Sequence, residues 1–291
     1  MQILGTGLSG LIGTRLTHVL RSTYEFQDMS LKTGIDITDT EKVKAIIGSS
    51  ASSCVFHFAA VTDVDKAELE KGDRNGIFWK VNVDSTRSIC QAAAKNGKRV
   101  VYLSTDYVFD GKHDSYSETD TPNPASWYAE TKYRGENAVL EADSRNLVIR
   151  LANPYRSYPV GKLDFVHKII SKLRANESVQ APLDQIYVPT FIDDLVRAID
   201  FLVKHNESGI FHVVGSEALT PLKATYDIAK TFGLRSDLIV STTFEEFFHG
   251  RAPRPFHAAL KHDKITALGM QMSSFVDGIL IVKKQEAQTL S

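Results

Sequence analysis

Gly5-Thr6-Gly7-Leu8-Ser9-Gly10-Leu11-Ile12-Gly13 is the stretch of this 291-residue chain that decides the fold. It follows an apolar strand pattern at residues 2–4 and opens a helical pattern. Gly7 permits backbone angles closed to other residues, Gly10 lets a pyrophosphate approach the peptide plane, and Gly13 lets the helix pack closely on the sheet. The helix N-terminus offers free N–H groups to the phosphates, so the turn predicts a dinucleotide site.

Strand and helix patterns alternate through the first half of the chain. Candidate strands are residues 2–4, 24–28, 54–59, 99–104 and 147–151, with a late strand at 210–214. Such alternation predicts parallel pairing with right-handed crossovers, which gives a doubly wound α/β sheet of the Rossmann type. After about residue 153 the rhythm breaks, and a smaller C-terminal substrate-binding cap is expected. The division is 1–153 plus 186–214 for the dinucleotide-binding domain, and 154–185 plus 215–291 for the cap.

Composition excludes several classes of protein. The 34 Lys and Arg against 35 Asp and Glu give a net charge of −1, so the chain has no excess of positive charge for binding nucleic acid or an anionic membrane. Cys54 and Cys90 are too few for a disulfide framework and are expected in the core. No apolar run approaches the roughly 18 residues of a membrane span, and no leader pattern opens the sequence, so a cytoplasmic location is expected. The histidines are scattered, and no metal site is predicted.

The nicotinamide cofactor is left open between NAD(H) and NADP(H). Asp28, at the end of the second candidate strand, would hold the ribose hydroxyls of NAD. Ser30 and Lys32 follow closely and would favour the phosphate of NADP, and Asp28 could equally cap the strand alone. Asp36 is a candidate contact to adenine, and Thr38 or Asp39 is expected to cap the next helix.

Tyr128 and Lys132 are four residues apart, so a helix places them on one face. A tyrosine pKa of about 10 is lowered by roughly 1 to 3 units beside a cation, which makes the phenol a usable proton donor to a carbonyl. Ser104-Thr105 precedes the pair at the carboxyl end of an inner strand, where ligands bind in such sheets. A hydroxyl there can hydrogen-bond the carbonyl oxygen.

The same spacing occurs twice more. Tyr158 and Lys162 are separated by Pro159 and Gly161, which oppose a helix. Tyr226 and Lys230 lie in a plausible helix, but no serine–threonine strand end precedes them, so a surface or packing helix is expected there. The last residues, from Lys283, lack apolar spacing and are expected to fray.

Several motifs together resemble the extended short-chain dehydrogenase/reductases, and within them the dTDP-4-dehydrorhamnose reductases. They are Ser104-Thr105-Asp106-Tyr107-Val108-Phe109-Asp110-Gly111, Tyr128-Ala129-Glu130-Thr131-Lys132, Val64-Asp65-Lys66-Ala67-Glu68, Val188-Pro189-Thr190 and Arg251-Ala252-Pro253-Arg254-Pro255. The resemblance covers nearly the whole chain. It implies hydride transfer from a nicotinamide to the C4 keto carbon of a nucleotide-linked deoxysugar.

The resemblance also implies residue roles. Tyr128 would protonate the C4 oxygen, Thr105 would orient it, and Lys132 would bind the nicotinamide ribose and tune Tyr128. Cofactor contacts are expected from Gly7, Ser9, Gly10, Leu11, Ile12, Asp28, Asp36, Ile37, Ala59, Ala60, Asn82, Tyr128 and Lys132. Substrate contacts are expected from Asp106, Val108, Asn153 and Arg254, the last for the phosphates because a guanidinium fork suits them. The partner is then a nucleotide sugar, and a homodimer is frequent in such families.

One position departs from the reductase pattern. Asn153, after the fifth strand, stands where the reductases usually carry an aromatic residue, and this arrangement is similar to the epimerase and dehydratase branch. A nucleotide-sugar epimerase or dehydratase is therefore one alternative. Another is a non-catalytic regulatory subunit of the methionine adenosyltransferase type, which the sequence also resembles. The intact Thr105, Tyr128 and Lys132 argue against that second alternative.

Overall fold

The computed structural model describes residues 1–157 and 161–289. The strands are β1 (Gln2–Thr6), β2 (Glu25–Met29), β3 (Cys54–His57), β4 (Arg99–Thr105), β5 (Leu147–Leu151), β6 (Pro154–Tyr155), β7 (Val179–Pro182), β8 (Thr190–Phe191), β9 (Gly209–His212) and β10 (Ile239–Thr242). The α-helices are α1 (Leu11–Leu20), α2 (Thr40–Ser49), α3 (Val64–Leu69), α4 (Ile77–Trp79), α5 (Thr86–Lys95), α6 (Trp127–Ala142), α7 (Phe165–Arg174), α8 (Ile192–Lys204), α9 (Pro221–Phe232), α10 (Phe244–Phe247), α11 (Asp263–Ala267) and α12 (Phe275–Thr289). A π-helical segment, Lys80–Ser85, joins α4 to α5.

Six strands form one sheet in the order β2-β1-β3-β4-β5-β9, and every neighbouring pair is parallel. This arrangement confirms the predicted doubly wound sheet. The expected strands all form, with small shifts at their ends: β2 runs one residue later than predicted, β3 ends at His57, and β9 ends at His212.

The two faces of the sheet bury separate apolar clusters because side chains alternate along each strand. On β1, Ile3 joins one cluster and Leu4 the other. On β4, Leu103 joins the first and Tyr102 the second. Cys54 and Cys90 are free and buried, as the sequence predicts.

The C-terminal part of the chain contributes two short parallel pairs, β10 with β7 and β6 with β8. A third apolar cluster forms around Tyr155, Tyr187 and Phe275. The expectation of a frayed end from Lys283 is wrong for the described residues, because α12 continues to Thr289. Ile279 and Val282 are fully buried in this cluster, and Arg174 holds Glu286 at 3.0 Å. Leu290 and Ser291 lie outside the described residues.

Candidate active site

A cleft of about 470 Å³ opens at the carboxyl ends of the central strands. Its lining includes Gly7, Gly10, Leu11, Ile12, Gly13, Phe58, Ala60, Thr62, Leu103, Ser104, Thr105, Tyr128, Lys132, Leu151, Asn153, Pro154, Lys162 and Leu163. The glycine-rich turn and the Thr105, Tyr128 and Lys132 side chains, which are far apart in the sequence, therefore face one space.

The turn after β1 has the backbone that the glycines require. Gly7 has a φ of 68°, and a Cβ placed there would lie 2.5 Å from the backbone nitrogen of Ala59. A Cβ on Gly13 would lie 2.4 Å from the Gly7 carbonyl oxygen, so α1 packs against the turn itself. No side chain of the described residues caps the N-terminus of α1 at Gly10, which leaves its first N–H groups for a ligand.

Asp28 is the penultimate residue of β2 and lies beside the glycine-rich turn, because it pairs with Gly5. Its Oδ2 accepts a 2.7 Å hydrogen bond from the Ser30 hydroxyl, whereas its buried Oδ1 has no hydrogen-bond partner among the described residues. An acceptor without a partner at this edge fits a ligand hydroxyl. Lys32 is exposed.

Asp36 is engaged locally, since its Oδ1 accepts hydrogen bonds from the Thr38 backbone at 2.9 Å and the Thr38 hydroxyl at 2.8 Å. Asp39, one of the two expected caps, accepts from the Lys42 backbone at the start of α2. Ile37 is buried in the apolar core. Adenine contact by Asp36 or Ile37 stays a prediction.

The loop after β3 is held from behind by two buried polar side chains. The Thr6 hydroxyl accepts from the Ala59 backbone N–H at 3.2 Å. Asn82, 1% exposed, accepts from the Val61 N–H at 2.9 Å and donates to the Val61 carbonyl at 3.0 Å. Asn82 therefore positions this loop, and within the part of the chain that the structure describes it is not among the residues lining the cleft. The same holds for Ser9 and Ala59.

Helix α6 carries Tyr128 and Lys132 on one face, as predicted. Ser126 starts the helix, because its hydroxyl accepts from the Ala129 backbone N–H at 3.4 Å. Thr105 ends β4, and its side chain lies beside the Tyr128 hydroxyl. The three side chains are buried yet all border the cleft.

The expectation that Lys132 acidifies Tyr128 differs from what the structure shows. Burial raises the pKa of Tyr128 well above its ordinary value, and the nearby Asp106 and Tyr107 raise it further. The Lys132 Nζ instead donates to the Tyr102 hydroxyl at 2.6 Å and to the Leu103 carbonyl at 2.8 Å. Burial lowers the pKa of Lys132 itself to about 7.

The expected substrate residues after Thr105 are placed behind the cleft. Asp106 is 3% exposed and accepts a 3.0 Å hydrogen bond from the Thr105 hydroxyl. Burial raises the pKa of Asp106 to about 7. Val108 is fully buried, and its carbonyl accepts from the Asn123 backbone. This placement leaves the Val108 side chain no surface for a substrate, and Asp106 acts on the site through Thr105.

Asn153 connects the cleft to a second cavity of about 570 Å³, because it lines both. Its φ of 40° is unusual for a residue other than glycine. The second cavity is also lined by Phe165, Lys168, Ile169, Lys172, Ser178, Val179, Gln180, Ala181, Pro182, Tyr187, Pro221, Thr225 and Phe247. Cationic and aromatic side chains thus meet in the cap next to the cleft.

Arg254 is buried and paired. Its Nη2 donates to Asp65 Oδ1 at 2.8 Å, its Nη1 donates to the Ala252 carbonyl at 2.6 Å, and its guanidinium lies 4.7 Å from the centre of the Phe248 ring. Among the described residues, Arg254 lines neither cavity. Its role toward phosphates stays a prediction.

Comparison with known proteins places this architecture in a family. The family model described as the RmlD substrate binding domain matches residues 1–285. The chain belongs to the RmlD substrate-binding-domain family. A dTDP-4-dehydrorhamnose reductase of Sinorhizobium fredii is 33% identical over 224 residues, which cover 74% of this chain and 73% of that protein. Methionine adenosyltransferase 2 subunit beta of Xenopus tropicalis is 28% identical over 99% of this chain and 91% of its own.

A solved structure of an RmlD-family relative agrees with the fold. The dTDP-4-dehydrorhamnose reductase of Bacillus anthracis, in complex with NADP, superposes with a TM-score of 0.88 at 27% identity and covers 99% of both chains.

Sequence reasoning missed several side chains at this RmlD-family site. Tyr102 was an ordinary apolar position of a strand, yet it contacts Lys132. Lys162, from a pair set aside because of its proline and glycine, lines the cleft, whereas Tyr158 lies outside the described residues. Only the adjacent motifs could have signalled either one. Tyr226 of the third pair is 45% exposed on α9, as expected.

Membrane-spanning helices and metal-binding clusters are both absent from the described ranges. No helix within them is long and apolar enough to cross a bilayer. No cluster of three or more His, Cys, Asp or Glu side chains suited to a metal ion occurs within them.

Proposed function

We propose that this chain reduces the C4 keto group of a nucleotide-linked deoxysugar with NADPH or NADH, as a dTDP-4-dehydrorhamnose reductase does. The observation that carries the proposal is the convergence of Thr105, Tyr128 and Lys132 on one cleft with the glycine-rich turn. A proton donor and a dinucleotide cradle in one space are the requirements of carbonyl reduction.

The chain's own residues fit a dinucleotide. The uncapped N-terminus of α1 and the close backbone approach at Gly7 suit a pyrophosphate. The Asp28 Oδ1 suits a ribose hydroxyl. When bound, the reduced nicotinamide supplies the hydride. We assign its binding to residues 1–153 and 186–214, with Ser9, Gly10, Leu11, Ile12, Ala59 and Ala60 around the phosphates and ribose, and Lys132 at the nicotinamide ribose.

Tyr128 is the proposed acid. Its raised pKa keeps the phenol protonated at neutral pH, so a proton is available for the C4 oxygen. Thr105 lies beside the phenol and would orient the same oxygen. Lys132, charged below its pKa of about 7, lines the cleft and would donate its remaining N–H to the nicotinamide ribose.

The cap, residues 154–185 and 215–291, is proposed to hold the sugar nucleotide. Asn153 lies where the cleft meets the second cavity, which supports a contact with the sugar. Lys168 and Lys172 carry the charge for a diphosphate, and Tyr187 and Phe247 offer rings to a base. A nucleotide sugar is the partner in this proposal. A cytoplasmic location and a homodimer rest on the resemblance, and sedimentation tests the latter.

The test is NADPH consumption with dTDP-4-dehydrorhamnose. The wild type should turn over, and Tyr128→Phe should lose roughly 1,000-fold in kcat while still binding NADPH. Tyr226→Phe is the matched control, since Tyr226 has the same spacing to a lysine on an exposed helix. It should behave as the wild type.

Two other outcomes identify the alternatives. Conversion of a nucleotide sugar with no net NADPH consumption would indicate an epimerase or dehydratase. No conversion of any nucleotide sugar, together with binding of a methionine adenosyltransferase that survives Tyr128→Phe, would indicate a regulatory subunit. Either result would overturn the reductase proposal.

A further inference from the structure

Lys132 is held by two acceptors deep in the sheet. Its Nζ lies 2.6 Å from the Tyr102 hydroxyl, 2.8 Å from the Leu103 carbonyl oxygen and 4.0 Å from the centre of the Tyr102 ring. An ammonium has three N–H donors, so two are used within the described part of the chain. The third is left for the cleft that Lys132 lines.

Tyr102 is itself fixed in place. The residue is 1% exposed, and a Cβ on Gly135 of α6 would lie 2.4 Å from its hydroxyl. Only a glycine on the neighbouring helix therefore leaves room for the phenol. The Thr86 side chain lies beside this hydroxyl, and the His57 ring centre lies 5.5 Å from the Tyr102 ring centre.

Beyond Tyr102, a chain of hydrogen bonds runs from Thr86 to Thr6, and the donor and the acceptor of each bond can be assigned. The Thr86 hydroxyl donates to the Asn82 carbonyl at 2.8 Å, so it must accept from His57 Nε2, which is also 2.8 Å away. Burial lowers the pKa of His57 to about 3, so its ring is neutral and Nδ1 is then an acceptor. The Thr6 hydroxyl, 2.7 Å away, donates to Nδ1.

The end of the chain reaches the wall of the cleft. Thr6 accepts from the Ala59 backbone N–H at 3.2 Å, in the loop between Phe58 and Ala60, which both line the cleft. From Thr86 to Ala59 every donor thus has an acceptor, which is the condition under which a buried polar network is stable and rigid.

We propose that Tyr102 is a positioning residue for Lys132. Its hydroxyl fixes the ammonium and stabilises its charged form. Behind Tyr102, the hydrogen-bonded side chains of Thr86, His57 and Thr6 continue to the cofactor loop. The inference rests on the proposed function only in assigning Lys132 to cofactor binding.

The charges facing Lys132 determine the expected sign. On its own helix, Glu136 favours the charged ammonium and Tyr128 lies one turn away. From the sheet, the neutral His57 on β3 and Tyr102 on β4 face it. Burial is the main cause of its lowered pKa. Removing the Tyr102 oxygen takes away a stabilising acceptor of the charged form, so the pKa of Lys132 falls further.

The decisive variant is Tyr102→Phe, which keeps the ring and deletes the acceptor. The pH dependence of NADPH affinity, followed by cofactor fluorescence, should shift its alkaline limb down by about one pH unit. The KM for NADPH near neutral pH should rise roughly ten-fold, while the kcat at about pH 5, where Lys132 is mostly charged in both proteins, approaches that of the wild type. If the variant lost activity only because its fold was damaged, lowering the pH would not restore the kcat.

Tyr24→Phe is the matched control. The Tyr24 hydroxyl donates a 2.6 Å hydrogen bond to Asp200 near the opposite edge of the sheet, so the variant loses a comparable bond away from the cleft. It should bind NADPH as the wild type does at every pH. Thr86→Val removes the hydroxyl next to Tyr102 and should shift the alkaline limb of NADPH affinity in the same direction by a smaller amount. It provides the test if Tyr102→Phe is too unstable to assay.

The outcomes separate the two proposals. A wild-type protein that reduces no sugar, but whose NADPH affinity shifts with pH in Tyr102→Phe, overturns the proposed function and supports the role of Tyr102. Unchanged pH dependence in both Tyr102→Phe and Thr86→Val overturns the role of Tyr102. A wild type that binds neither NADPH nor NADH overturns both.

Discussion

Glu136 and Arg150 form a bidentate ion pair in which both side chains are only 1% exposed. The Arg150 Nε donates to Glu136 Oε1 at 2.9 Å, and its Nη2 donates to Oε2 at 2.7 Å. Glu136 lies one turn beyond Lys132 on α6, and Arg150 lies on β5. The pair therefore joins the helix that carries the proposed acid to the strand behind it.

Breaking this ion pair should be costly. Arg150→Met leaves a buried carboxylate without its cation and should lower the free energy of unfolding by about 3 to 5 kcal/mol in urea denaturation. The double variant Glu136→Gln/Arg150→Met should regain more than half of that loss, since no buried charge remains. Arg134→Met is the control: its pair with Glu130 on the same helix is 51% and 26% exposed, so the change should stay below about 0.5 kcal/mol. Equal losses at both positions would contradict the argument.

A second prediction concerns two glycines of similar backbone conformation. Gly7→Ala should abolish measurable NADPH binding. The added Cβ would lie 2.5 Å from the backbone nitrogen of Ala59 and so overlap the Phe58–Ala59 backbone, and residue 7 has a φ of 68°. Gly34→Ala has a similar φ of 73° but meets nothing within 4 Å, so it should cost only about 1 kcal/mol of stability and leave cofactor affinity unchanged. Cofactor fluorescence and thermal melting measure the two effects. Equal effects on binding would refute a specific role of the turn.

The sequence was sufficient for the sheet because burial on both faces leaves a clear signature in each strand. Residues 54–56 and 100–103 are apolar runs bounded by polar residues, and their order fixes the parallel topology. The sequence also located Tyr128 and Lys132, since helical spacing is a local property. The partner of the Lys132 ammonium was not predictable in the same way, and the expected acidification of Tyr128 was wrong. The ammonium turns toward Tyr102, 30 residues earlier in the chain, and only the packing of α6 on β4 decides that contact.

The C-terminal helix shows a second limit of local reasoning. Residues 283–289 lack an apolar repeat, but the helix persists because the preceding turns are anchored by Ile279 and Val282. Ion pairing of Glu286 with Arg174 adds a tertiary contact across 112 residues of sequence. Helix propagation from an anchored segment needs little further stabilisation.

Asp106 predicts an unusual dependence of stability on pH. Burial raises its pKa from 3.8 to about 7, so the folded state binds the proton more tightly than the unfolded state. Stability from this group is then fully present below about pH 4 and is lost as the pH rises toward 7, by up to about 4 kcal/mol. Asp106→Asn should remove that loss, and urea denaturation across this pH range measures it.

Asp143 serves as the control, because its contribution to stability changes with pH in the opposite direction. Hydrogen bonds from Arg145 lower the pKa of Asp143, so its stabilising contribution is present above its unfolded value and is lost as the pH falls. Asp143→Asn should therefore reduce stability near neutral pH and flatten the acid limb. An Asp106→Asn variant that follows the wild-type curve would show that the Asp106 carboxyl titrates normally.

The choice between the two nicotinamide cofactors should depend on Asp28. Its carboxylate would repel the 2′-phosphate of NADPH, whereas its Oδ1, without a partner among the described residues, would accept from the 2′-hydroxyl of NADH. Asp28→Asn removes the charge and keeps an oxygen for the 2.7 Å bond from Ser30. The ratio of kcat/KM for NADPH to that for NADH should rise roughly ten-fold. Glu25→Gln removes the same charge from the opposite end of β2 and should leave the ratio unchanged. A ratio that falls in Asp28→Asn would mean that the carboxylate does not face the ribose.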